Sequence, residues 1–95
     1  MEYKVYFSDD SLRDFDETLE FIRQDKSAAA ERFGNTLLNH VDLLASFPHI
    51  GAPVSGRPGL RNLLHTPIRI YYRIHEDKKL VGIIHLWHGS RRPPR

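Results

Sequence analysis

The stretch Ile68-Arg69-Ile70-Tyr71-Tyr72-Arg73-Ile74, then Glu76-Asp77-Lys78-Lys79, then Val81 through Arg92, reads as two strands joined by a tight turn. Side chains alternate across a strand, so Ile68, Ile70, Tyr72 and Ile74 point one way and Arg69, Tyr71, Arg73 and His75 the other. One face builds a core. The other offers cations and an aromatic ring, which suit phosphate, nucleic acid or an acidic partner. If Glu76 pairs with Lys79, then Ile70 faces His85 and Ile68 faces Trp87. A one-residue shift or bulge instead sets Arg69 beside Trp87 and Tyr71 beside His85, with Ile84 and Leu86 against Ile70 and Ile68. The second register is preferred because it groups polar with polar.

Working back from this hairpin, Leu60 to His65 forms a further strand and Pro67 sits at the bend. Residues 47–59 hold three prolines and three glycines and read as an ordered surface loop. Before it lie two helical stripes. Leu12, Phe15, Leu19 and Ile22 mark a first helix reaching about Gln24, with Ser8-Asp9-Asp10-Ser11 supplying caps and first-turn carboxylates. Ala30, Phe33, Leu37, Val41 and Leu44 mark a second, from near Asp25-Lys26-Ser27 to about Ser46, before Pro48 and Gly51 forbid continuation. The short joint implies an antiparallel helical hairpin. Tyr3, Val5 and Phe7 alternate with polar neighbours as an N-terminal strand. The expected fold class is α+β in the order β-α-α-β-β-β: a strand, the helical hairpin, then a three-stranded antiparallel meander.

Ninety-five residues with 40% apolar content support one domain, residues 1–95, with one modest core. The formal charge of +2 hides an asymmetry. Residues 1–42 carry ten acidic and five basic side chains, a net of −5, whereas residues 43–95 carry two acidic and nine basic, a net of +7. Such a division steers an anionic partner towards one side. There is no cysteine, so a disulfide framework and a thiolate metal site are excluded. No apolar run reaches membrane-spanning length and Met1-Glu2-Tyr3-Lys4 lacks a signal pattern, so a cytoplasmic protein with no membrane association is expected. His85 and His88 lie three apart on a strand and face opposite sides, so no metal site and no cofactor is expected. Arg92-Pro93-Pro94-Arg95 reads as a flexible end.

Taken in order, the N-terminal strand, the acidic helix, Ser27-Ala28-Ala29-Ala30-Glu31-Arg32-Phe33, the Phe47-Pro48 break, Gly59-Leu60-Arg61, Ile70-Tyr71-Tyr72-Arg73-Ile74 and Trp87-His88-Gly89-Ser90-Arg91 resemble the RelE/ParE superfamily of type II toxin–antitoxin toxins. The resemblance spans nearly the whole chain and implies a twisted antiparallel sheet covered by a helical hairpin. It also implies a cognate antitoxin, extended and partly helical, in a groove edged by Phe15, Leu19, Phe33 and Leu37. ParE-like members poison DNA gyrase and stabilise plasmids; RelE-like members cut messenger RNA on the ribosome.

The nuclease branch needs a base, an acid and cations around a phosphorane-like transition state. The resemblance carries Arg69, His88 and Arg91 onto those roles. Two departures favour the ParE-like branch: Leu60-Arg61-Asn62-Leu63-Leu64-His65 lacks the lysines expected there, and Pro93-Pro94-Arg95 stands where a stacking tyrosine would be. Residues 43–75 also hold no carboxylate. The resulting expectation is a gyrase-directed toxin whose target-binding residues are Arg61, Arg69, Arg73, Trp87 and Arg91. The alternatives are a ribosome-dependent endoribonuclease acting on mRNA, and a nonenzymatic nucleic-acid-binding or protein-interaction module.

Overall fold

The computed structural model describes residues 2–88. The order is β1 (Lys4–Phe7), α1 (Asp9–Arg23), α2 (Ser27–Ser46), β2 (Ala52–Pro53), β3 (Leu60–His65), β4 (Ile68–His75) and β5 (Leu80–His88). The strands form one sheet in the order β1-β5-β4-β3-β2. The expected meander of β3, β4 and β5 is antiparallel throughout.

Two features of the sheet differ from expectation. β1 pairs with β5 in parallel, so the sheet is mixed. β2 arises inside the stretch expected to be loop, where Ala52 and Pro53 pair with Asn62 and Arg61 of β3. A two-residue strand has no period of its own, and only its neighbour's free edge defines it. Proline is tolerated there because this is an edge strand.

The β4–β5 register is the preferred one, Arg69 opposite Trp87 and Tyr71 opposite His85, with a bulge between Tyr71 and Tyr72. One detail is corrected. Ile70 faces Leu86, Ile68 faces His88 and Tyr72 faces Ile83, so Ile84 is the extra residue of the bulge and pairs with neither isoleucine. Inserting one residue switches the alternation, which is why Val81 and Ile83 are buried before the bulge and Leu86 after it.

α2 supplies the core's other wall. Leu37, Val41 and Leu44 are fully buried against Ile68, Ile70, Tyr72, Val81 and Ile83. The stripe expected for α1 is only partly right, because Leu12 is 48% exposed and Ser11 is buried in its place. The reason lies in where α1 runs. β1 ends at Phe7, opposite Ile83, and the C-terminal half of β5 has no strand on that side among the described residues. α1 lies along this open edge. Ser8, the N-cap, accepts from the Ser11 N–H at 3.1 Å and donates its hydroxyl to the Ile84 carbonyl at 2.9 Å. Asp14, two turns of chain later, accepts from the Leu86 N–H at 3.1 Å. Polar side chains of the helix thus satisfy backbone groups that a strand would otherwise pair.

The 47–51 bend is fixed by one buried phenol. Tyr72 donates its hydroxyl to the Pro48 carbonyl at 2.7 Å and accepts from the Gly51 N–H at 2.9 Å. Burial holds the Tyr72 hydroxyl above its ordinary pKa. Gly51 is required there, because a Cβ would stand 2.5 Å from that oxygen and 2.7 Å from the Asn62 carbonyl. At the other end of the sheet Tyr3 donates to Glu76 at 2.6 Å, tying β1 to the β4–β5 turn. That bond raises the tyrosine's pKa and lowers the carboxyl's.

Candidate functional site

The uncovered face of the sheet carries two adjacent cross-strand rows. Leu64, Arg69 and Trp87 form one, and Asn62, Tyr71 and His85 form the next. Arg69 is exposed and donates to the Asn62 side-chain oxygen at 3.1 Å, which orients its guanidinium across the strands. His85 and Trp87 meet edge to face with centroids 6.1 Å apart. The Trp87 Nε1 is buried and lacks a hydrogen-bond partner among the described residues. His85 Nδ1 lies 3.2 Å from the same Asp14 oxygen that accepts from Leu86. Asp14 therefore orients the imidazole and caps the strand edge together.

The remaining expected target-binding residues are dispersed. Arg73 shares the open face but donates to the Pro58 carbonyl at 3.1 Å. Arg61 pairs across the sheet with Tyr72, on the helix-covered side, and donates to the carbonyls of Gly51 at 2.6 Å and His49 at 3.3 Å. Both arginines hold the 49–58 stretch against the sheet. Arg91, like the expected flexible end at 92–95, lies outside the described residues.

Of the three nuclease residues, Arg69 and His88 do not share one face in this fold. His88 stands opposite Ile68, a fully buried core residue, and facing residues of an antiparallel pair share a face. Arg69 points the other way. Spacing alone concealed this, because the β5 bulge decides which of His85 and His88 accompanies Arg69.

Of the four groove residues, Phe15 and Leu19 line a cleft between α1 and α2 together with Ala30, Gly34 and Leu38. Gly34 permits this close approach, since a Cβ there would lie 3.2 Å from a Leu19 methyl. Leu37 is 0% exposed and belongs to the core, so it adds no surface to the groove. Phe33 is half-buried and packs edge to face on His65, with centroids 5.5 Å apart. A helical stripe says that these residues face inward, but a helix in a hairpin has two inward sides.

The pairs Asp14–His85 and His40–His65 were not anticipated. They join residues 71 and 25 positions apart, and no local motif signals either. Among the described residues no group of three or more His, Cys, Asp or Glu side chains is arranged to hold a metal ion, and no helix is long and apolar enough to cross a membrane.

A mixed sheet flanked by a helical hairpin agrees with the fold that the resemblance to the RelE/ParE toxins implies. Residues 5–93 match the profile of the ParE toxin of type II toxin–antitoxin systems, parDE, and the chain belongs to that family. It is thus the toxin component of a type II system. Solved structures show the same fold. The chromosomal ParDE system of P. aeruginosa aligns with a TM-score of 0.76 at 19% identity, covering 92% of this chain and 96% of that one. The RelBE2 toxin–antitoxin complex of Mycobacterium tuberculosis gives 0.70 at 21%, covering 93% and 99%. The intact RelBE complex of E. coli gives 0.60 at 21%, covering 94% and 99%. No curated protein matches the sequence significantly.

Proposed function

We propose that this chain is a ParE-like toxin that inhibits DNA gyrase and is held inactive by a cognate antitoxin. The observation that carries this reading is the separation of Arg69 from His88 on opposite faces of the sheet, in a chain whose profile match is to ParE. With His88 on the other face, Arg69 and His88 do not act together as base and transition-state cation in RNA cleavage. What remains on the open face is Arg69, whose planar donor fork suits carboxylate or phosphate, beside Trp87. Similar solved structures include complexes of toxin with antitoxin, which supports a protein partner here; the cleft sets Phe15, Leu19, Ala30 and Leu38 beside Arg23, Ser27, Glu31 and Asn35, a lining that suits an amphipathic segment.

The ribonuclease reading retains one observation in its favour. His85, oriented by Asp14, sits one row from Arg69 on the same face and could serve as the base that His88 cannot. Two assays on purified toxin separate the readings. Loss of gyrase supercoiling, with ribosome-bound messages left intact, is expected. Codon-dependent cleavage of those messages with unaffected supercoiling would reject the gyrase reading.

A further inference from the structure

Where β1 gives way to α1, the open half of β5 and the outer side of the helix enclose a cavity of about 240 Å³. Asp14, Glu17, Thr18 and Phe21 line it from the helix, and Leu86, Trp87 and His88 from the strand. Neither the open-face arginines nor the hairpin cleft contributes to it. We propose that this cavity receives a basic side chain, arginine above all, presented by a protein partner.

Three observations converge on a cation. First, the cavity combines carboxylates with aromatic rings, the composition that holds a guanidinium by charge and by its face. Second, no lysine or arginine among the described residues pairs with those carboxylates. Arg13 and Arg23, the basic residues of α1, are already paired with Asp10 and Glu20. Glu17 has no ion pair among the described residues. Asp14 commits one oxygen, Oδ2, to Leu86 and His85, and no bond to its other oxygen occurs among the described residues. Third, Phe21 is 75% exposed, the most exposed of the large apolar side chains, at the mouth of the cavity. An aromatic ring so placed gains apolar burial only when a partner covers it. An anionic guest would meet two carboxylates and is disfavoured. An arginine offers an apolar stem for Phe21 and a planar charged head for Glu17, so its chemistry matches both lining types.

Trp87 is the only tryptophan in the chain, so its emission reports this cavity directly. The test titrates the full-length toxin with a blocked Gly-Arg-Gly tripeptide and, in parallel, with the same peptide carrying citrulline or glutamate in place of arginine. A saturable emission change is expected with arginine, weakened several-fold by the neutral citrulline isostere and by high salt, and absent with glutamate. Glu17→Gln and Phe21→Ala should each weaken arginine binding by roughly two- to tenfold. Both positions are exposed, so circular dichroism should show an unchanged fold. Equal binding of arginine and citrulline, wild-type affinity in both variants, or no saturable change at tens of millimolar would each overturn the proposal. So would markedly tighter binding by an Arg91→Gln, Arg92→Gln variant, which would assign the cavity to the chain's own basic end.

Discussion

His40 on α2 and His65 on β3 face each other through their Nδ1 atoms at 2.8 Å. One nitrogen must donate and the other accept, so the contact tolerates a proton on either Nδ1 but not on both. Burial, followed by the proximity of His40, lowers the His65 pKa from its ordinary value. The pair joins the covering helix to the sheet, next to Phe33.

A pH dependence of stability follows. For a histidine whose folded pKa is depressed, the unfolded chain binds more protons over the intervening range, so stability rises with pH. The contribution is complete above the unfolded value of about 6.5 and is lost as pH falls towards the folded value. Urea midpoints measured from pH 8 down to pH 5 should fall for the wild type. They should fall less for His65→Gln, which keeps a polar side chain but does not titrate. Parallel pH profiles for the two proteins would remove His65 from the account.

Asp14 should matter for stability whatever the cellular target. Its carboxylate accepts from the Leu86 N–H at an edge of β5 where no strand pairs among the described residues. Asp14→Ala leaves that donor without its partner and should cost about 1–3 kcal/mol, with faster hydrogen exchange at Leu86. Asp14→Asn keeps an acceptor oxygen and should cost less. If the alanine and asparagine variants exchanged at the wild-type rate, the helix would not be sealing the edge.

Tyr72 offers a test with nearly constant volume. Its hydroxyl satisfies both the Pro48 carbonyl and the Gly51 N–H, in a place where the ring is wholly buried. Tyr72→Phe keeps the ring and strips two backbone groups of their partner, so a loss of roughly 1–3 kcal/mol in urea unfolding is expected, with no change in helix content. A loss below a few tenths would mean that water replaces the hydroxyl in the bend.

Several of these relationships could be read in the chain and others could not. The alternation of Ile68, Ile70, Tyr72 and Ile74, with the grouping of Arg69 and Trp87, favoured the observed register of β4 and β5 over its alternative without fixing it. The stripe from Ala30 to Leu44 located the core face of α2, and Ser8 was legible as a cap because its role is local. β2 was not legible, because two residues become a strand only through Asn62 and Arg61. Leu12 was misplaced because α1 follows a strand edge, where the small Ser11 is needed against the backbone. Leu37 was assigned to the surface because periodicity gives a direction and not the depth. The Asp14–His85 contact spans 71 residues, and only the closed topology brings it together.

The last prediction concerns which arginines carry toxicity and which carry structure. Arg61 donates to two carbonyls of the 49–51 bend, so Arg61→Ala should lower stability by about 1–2 kcal/mol, and any loss of toxicity would follow from that. Arg69 is exposed and, among the described residues, bonds only the Asn62 side chain, so Arg69→Ala should leave the thermal midpoint nearly unchanged. If the open face meets the target, that variant should nonetheless relieve growth arrest, and Arg91→Ala should do the same. His88→Gln should stay toxic, because no proton transfer is required of it. Growth assays on induced variants, paired with melting curves, decide the matter. A fully toxic Arg69→Ala alongside a folded but harmless His88→Gln would move the functional surface from the open face to the helix-covered side and restore the nuclease reading.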